Sequence, residues 1–220
     1  MKGPDRSRSY IPELQPAEIS AVSNKIALFP ENTPLALPDF TIEIANISHI
    51  FWAQEICDEM YSSAIARSTG ISKRSPYDLQ KKMIAGEAVI AFAPDGRWAG
   101  FSYISAWEDG KFVSNSGMIV APEFRKSGIA KKIKHMIFEL SRTSYPNAKI
   151  FSLTTGAAIM KMNHDLGFAP VVYSELPQDD GFWEGCKSCV NCPILISKGR
   201  KNCLCTAMLF DPKVPEPTEK

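Results

Sequence analysis

No stretch of about 18 apolar residues, the length a helix needs to cross a bilayer, occurs in this 220-residue chain. The N-terminus, MKGPDRSRSYIPELQP, lacks the apolar run that follows the basic start of a secretory signal. Neither membrane nor export is expected, and the cytoplasm is the expected location. An excess of charge of one sign is missing as well, since 25 Lys+Arg against 24 Asp+Glu leave +1. Proteins held to DNA or RNA mainly by neutralising phosphates need a domain-wide surplus, so nucleic acid is not an expected partner and charge-driven binding must be local. Internal repeats and low-complexity tracts are absent. What remains is the composition of a soluble globular protein, 45% hydrophobic and 22% charged, long enough for one core to bury roughly 70% of the unfolded surface.

Six prolines (Pro4, Pro12, Pro16, Pro30, Pro34, Pro38) fall within residues 1–38 and exclude a long regular element there, apart from a short helix over 17–27. This segment reads as an arm. The polar, proline-rich residues 211–220 read as a disordered tail, which leaves 39–210 as the domain. Within it, FTIEIA (40–45) alternates with period two, and Ser48 is expected to cap a helix with Ile50, Ala53, Cys57, Met60, Ala64 and Ile65 on one face. Pro76 suits the first turn of a shorter helix ending near Gly86. AVIAFA (88–93), WAGFSYISAW (98–107) and residues 112–120 are separated by Pro94-Asp95-Gly96 and Asp109-Gly110, connections too short for a crossover, so they form an antiparallel meander. Residues 128–142 form an amphipathic helix with Ile129, Ile133, Ile137 and Leu140 inward, and Lys131, Lys134, His135 and Arg142 on a basic outer side. A buried strand (149–155), a helix (157–166) stopped by Gly167, a strand (168–173) and a last strand (203–210) complete a mixed α/β sandwich.

The densest information lies in GMIVAPEFRKSGIAKKI, where a strand passes through Arg125-Lys126-Ser127-Gly128-Ile129-Ala130 into a helix. The first amides of a helix lack intrahelical acceptors and sit at the positive end of its dipole, so the place is suited to an anion. Gly128 permits close approach of a ligand, and Ala130 keeps the next turn small. Arg125, Lys126, Lys131, Lys132, Lys134 and Arg142 face only Glu139 in the same stretch, a surplus that fits a phosphate-rich ligand. On spacing alone, a helix-start glycine beside a solvated lysine face remains the other reading. A Walker-type loop and a dinucleotide fingerprint both fail, the first for want of a Gly-Lys-Ser/Thr ending and the second for want of three glycines.

This arrangement resembles the GNAT superfamily of N-acyltransferases. Val120 and Pro122 match the strand end Val-x-Pro, and Arg125, Gly128 and Ala130 match Arg/Gln-x-x-Gly-x-Gly/Ala. Downstream, Asn163-His164-Asp165-Leu166-Gly167-Phe168 is similar to the family's Tyr-x-x-x-Gly-Phe helix end. The likeness covers about residues 40–175 and the last strand. It implies a mixed, mostly antiparallel sheet flanked by helices, and an acyl-coenzyme A co-substrate, acetyl or another short acyl. The pyrophosphate would lie on Arg125, Lys126, Ser127, Gly128, Ile129 and Ala130. The thioester carbonyl would take a backbone N–H from Met118, Ile119 or Val120, while Thr154 and Asn163 would contact the pantetheine.

The resemblance also departs. Asn163 stands where the family offers a tyrosine to the leaving thiolate, and a carboxamide donates a hydrogen bond but no proton. His164 is then a candidate acid or a surface side chain. For the general base, Glu175, Glu43 and Glu108 qualify by location, although strand carboxylates are often only surface residues.

Five of the six cysteines crowd into a segment (177–205) inserted before the last strand. Cys186/Cys189 and Cys203/Cys205 offer four thiolates for a tetrahedral structural zinc, with Cys192 as substitute ligand, while reduced thiols, a redox disulfide and an iron–sulfur centre are the other readings. Phe182 and Trp183 either cover an acceptor pocket or anchor the insertion on the sheet.

The expectation is an acyl-CoA-dependent N-acyltransferase acting on a small primary amine, an amino acid such as glutamate being the first to try, with a homodimer left open. The alternative is a GNAT-like CoA-binding module without turnover, whose zinc-stabilised insertion binds another protein.

Overall fold

Residues 40–67 and 72–214 are described by the structure, a computed structural model. The expected arm, with its short helix, and the tail beyond 214 lie outside the described residues. The meander forms where the turn residues place it, with β2 (Ala88–Phe92), β3 (Trp98–Trp107) and β4 (Phe112–Val120). β1 (Thr41–Ile44) pairs with β2 at one edge. On the other side of β4 lie β5 (Lys149–Thr154), β7 (Thr206–Phe210) and the short β6 (Ala169–Pro170), in the order β1-β2-β3-β4-β5-β7-β6. Neighbours are antiparallel except β4 and β5, whose parallel pairing needs a crossover, supplied by α3 (Ile129–Ser144).

Helices cover both faces, which is why β2 reads as an unbroken apolar run. Alternation along the strand sends Val89 and Ala91 to α3, where Ile129, Ile133, Ile137 and Leu140 meet them, and Ala88 and Ile90 to the opposite face. There α1 (Ala53–Ala66) and α2 (Pro76–Ile84) bring Ile56, Met60, Leu79 and Met83 against Phe101, Tyr103 and Ile119. Beside α3, α4 (Ala157–Asp165) runs over the β5 side of the sheet, and Phe168 just beyond it packs with Phe138 of α3 on Ile150 and Met208. The cysteine-bearing segment carries α5 (Asp180–Glu184) and α6 (Cys192–Ser197) on the α1–α2 face. Its anchor is Trp183, buried at 4% exposure with Nε1 donating to the Pro177 carbonyl, while Phe182 packs edge-on to Trp107 and Phe151.

Four expectations need correction. The cap before α1 is Asn46, not Ser48: Asn46 is extended (φ −143°), and its Oδ1 accepts the Ser48 amide at 2.8 Å, because Ser48 already lies in a 3-10 turn (Ile47–Trp52). Residues 168–173 pair only as Ala169–Pro170, since Val172 leads into a 3-10 turn, Tyr173–Glu175. The last strand begins at Thr206 rather than 203, and the two cysteines before it stay outside the ladder. Lys134 belongs to the core and not to the basic outer side, with consequences taken up below.

Candidate functional site

The sheet opens between its two parallel strands. Pairing joins Phe112, Val113 and Ser114 to Lys149, Ile150 and Phe151 and ends there, although β4 runs on to Val120 and β5 to Thr154. A bulge lies just past the fork: Phe101 faces Ile119 while Tyr103 faces Ser116, so β4 carries one residue more than β3. Gly117 sits in it at φ +63°, and a Cβ there would lie 2.4 Å from Tyr103 Cε1, so only glycine fits. Beyond Asn115, β4 offers β5 an unpaired backbone edge that carries Met118, Ile119 and Val120.

β4 leads into the phosphate-type loop. Gly128 is the N-cap of α3 at φ +88°, and nothing lies within 4 Å of where its Cβ would stand. The glycine is thus required by conformation, and the space before the first α3 amides is open. Lys126 also has a positive φ (66°), and Ser127 Oγ donates to the Phe124 carbonyl at 2.7 Å and accepts the Ile129 amide at 3.3 Å, which fixes the loop from within. Arg125 is spent on architecture: Nη2 reaches Glu59 Oε1 and Ser63 Oγ of α1, both at 2.6 Å, and Nε the Val120 carbonyl. Beside the ion-paired but part-exposed Arg125, exposed positive charge at the loop comes from Lys126, Lys131 and Lys132. Ala130 is half-buried behind them.

Lys134 lies at 3% exposure between α3 and the sheet. Its Nζ donates to Asn115 Oδ1 at 3.1 Å and stands 5.0 Å from the Phe168 ring centroid, and Asn115 Nδ2 in turn donates to Ser141 Oγ at 2.7 Å. Burial, with no anionic partner to offset it, pulls the amine down to about 7. The sequence held a signal for this: Lys134, Phe138 and Ser141 repeat at four and three residues beside Ile133, Ile137 and Leu140, so the buried face of α3 is wider than one stripe.

Asn163 is fully buried at the end of α4, its Nδ2 3.6 Å from Met208 Sδ and its Oδ1 without a partner. His164, one residue on, is exposed. Thr154 Oγ1 accepts the Gly156 amide at 3.0 Å and so prepares the start of α4. The carboxylates are engaged elsewhere: Glu175 takes the Val172 amide at 3.3 Å, Glu108 the Gln178 amide at 2.7 Å, and Glu43, on the far edge strand, lies 3.0 Å from His49 Nε2.

The opposite face holds a group without a sequence signature. Arg74, in the segment before α2, places its guanidinium 5.9 Å from the Tyr103 ring centroid, and its Nε is buried with no acceptor. Tyr103 is the ring packed on Gly117, and burial raises its phenol, which therefore stays protonated. Neighbouring Lys73 donates its amide to Ser188 Oγ at 2.9 Å, so the cysteine-bearing segment borders this region. Ser114 and Ser116 lie on the same face, with Trp107 Nε1 donating to Ser114 Oγ, while Ser102, on the α3 side of the sheet, donates its Oγ to the Ser116 carbonyl.

The zinc expectation is not supported. Cys186, Cys189, Cys192, Cys203 and Cys205 line one cavity of about 30 Å³, yet among the described residues no three Cys, His, Asp or Glu side chains are arranged to hold a metal ion. The reason is the orientation of the thiols: Cys189 Sγ accepts the Asn191 amide at 3.4 Å and the Cys203 thiol points at the Asn191 carbonyl. Burial, with the neighbouring cysteines adding to it, raises Cys186 to about 11 and Cys205 to about 12.

A mixed sheet parted at its parallel pair, with a glycine-started helix issuing from the same strand, defines the class: an α/β domain with an open helix start beside a free strand edge. That fold is the fold of the GNAT acetyltransferases, as solved structures show. N-acetylglutamate synthase from Neisseria gonorrhoeae, complexed with coenzyme A and N-acetyl-glutamate, superposes with a TM-score of 0.56 at 16% identity over 80% of this chain, which spans only 35% of that one. A GNAT-family acetyltransferase from Staphylococcus aureus gives 0.56 at 12% identity, with 79% of this chain and 99% of that one covered. A Salmonella typhimurium acetyltransferase solved with acetyl-CoA gives 0.53 at 16% identity, covering 82% and 98%. No protein-family model and no curated protein matches the sequence.

Proposed function

We propose that this protein is an acyl-CoA-dependent N-acyltransferase whose acceptor is a small amine bearing a carboxylate, an amino acid such as glutamate. The observation that carries the reading is the presence of fork and cradle on one strand: β4 leaves β5 after Ser114, bulges at Gly117 and runs on to the Gly128 helix start. Acyl-coenzyme A supplies an acyl thioester, whose carbonyl carbon gains a bond to the amine nitrogen and loses its bond to sulfur as an ammonium becomes an amide, coenzyme A leaves as the thiol and one proton passes to solvent.

The chain's own groups fit that ligand. The open space at Gly128, the first amides of α3 and the exposed Lys126, Lys131 and Lys132 suit a pyrophosphate. Backbone dipoles on the free edge of β4 at Met118, Ile119 and Val120 are suited to hold an oxyanion in an orientation set before reaction. Arg74 Nε, buried and unpaired beside the ring that packs on the bulge, is a ready partner for an acceptor carboxylate. The ligands of the Neisseria neighbour, coenzyme A and N-acetyl-glutamate, make glutamate the first amine to test.

Calorimetric titration with acetyl-CoA tests the reading. The native chain should bind and Gly128→Asp should not; no binding of acetyl- or free coenzyme A by the native chain would remove it. One observation favours a second reading, a CoA-binding module without turnover: Asn163 has no proton to give a thiolate. Thiol release across an amine panel separates the two.

A further inference from the structure

The most unusual group left over by the proposed chemistry is the Lys134 ammonium. A cation deep in a protein is costly unless an anion pairs with it, and among the described residues no carboxylate lies within ion-pairing distance of Lys134. Its contacts are one neutral oxygen, Asn115 Oδ1, and the face of Phe168. Three N–H donors therefore meet a single acceptor. Asn115 is no ordinary strand residue. It is the first residue of β4 past the last pair with β5, Ser114 with Phe151, so the ammonium is fastened at the vertex of the fork.

Along β4 the cradle, the bulge and the vertex follow one another. From Gly117 back to Asn115 is two residues, about 7 Å of strand, which is the scale of a four-carbon acyl chain together with a hydrogen bond to its distal carboxylate. An acyl group held at the bulge with its far end toward the vertex would meet Lys134. A plain acetyl group leaves the cation as unpaired as it is now, whereas a terminal carboxylate supplies the missing anion.

We infer that the acyl donor is a coenzyme A monothioester of a short dicarboxylic acid, of succinyl size, and that Lys134 binds its distal carboxylate at the vertex of the β4–β5 fork. This rests on the N-acyltransferase reading and names the acyl class that the reading leaves open.

Calorimetry with succinyl-CoA, acetyl-CoA and free coenzyme A tests it without recourse to activity. The native chain should bind succinyl-CoA at least tenfold more tightly than acetyl-CoA. Lys134→Met, close in shape and free of charge, should lose that preference and keep its affinity for acetyl-CoA. A measurement on the native chain alone guards against a misfolded variant: at pH 8, titrations in two buffers of different ionisation heat should show proton uptake with succinyl-CoA and none with acetyl-CoA, as the amine becomes an ammonium beside the carboxylate. Equal affinity for the two thioesters, or a preference that survives Lys134→Met, would overturn the inference alone. Failure to bind any of the three ligands would overturn the acyltransferase reading with it.

Discussion

Lys134 and Arg74 lie on opposite faces of one sheet, and they are buried in different ways. Lys134 is carried by the interior of a helix, anchored to Asn115 and sealed under Phe168. Arg74 stands on a connecting segment before α2, half-buried, with its Nε hidden and its guanidinium over Tyr103. A cation fixed in a helix core can meet a ligand in one geometry only, whereas a cation on a loop can follow its ligand. On the proposed reading, the α3–α4 face would take a donor of fixed shape, and the α1–α2 face acceptors that vary.

The bluntest way to break this comparison is to remove what both faces depend on. Gly128→Asp forces a side chain into φ +88° and sets a carboxylate where the proposed reading puts the phosphates, so coenzyme A affinity should fall at least 100-fold by calorimetry. The faces are then separated by Arg74→Gln, which should raise KM for an amino acid acceptor roughly 10- to 100-fold, the range for losing a charged hydrogen-bond partner. Acetyl-CoA affinity should be unchanged, as should turnover of an amine without a carboxylate.

A third test uses stability in the absence of ligand. The Lys134 amine is held at about 7, below the ordinary lysine value of about 10.4. Between those values the unfolded chain keeps the proton and the folded chain does not, so raising the pH favours the fold. Denaturant unfolding should show the native chain gaining on Lys134→Met from pH 7 to 10, by at most about 1.4 kcal/mol per pH unit. A gap independent of pH would mean that the amine is not desolvated. The smallest effect belongs to Glu59→Gln, which removes the ion pair of Arg125 with α1 and leaves its bond to Ser63: the pair is part-exposed, and about 1 kcal/mol or less is expected in the same assay.

Local chemistry made much of this legible in advance. Asp95-Gly96 and Asp109-Gly110 fixed the meander, Pro76 opened α2, and Gly128 marked the helix start of the cradle. What escaped depends on contacts distant in sequence. Lys134 looks like any helix-surface lysine until α3 is laid on β4, and Arg74 is indistinguishable from Lys73 until its neighbour Tyr103 is known. The cysteine spacing suggested metal, but spacing does not set thiol orientation, and Cys189 and Cys203 turn to the backbone of Asn191 instead. Asn46 outcompeted Ser48 as a cap because the turn begins two residues earlier than the apolar pattern implies.

The most direct test of the central claim is thiol release on mixing the protein with an acyl-CoA and single amines. The account predicts release with an amino acid such as glutamate and much less with the corresponding amine that lacks the α-carboxylate. Coenzyme A binding without thiol release for any amine, acetyl and succinyl donors alike, would contradict it and leave a binding domain.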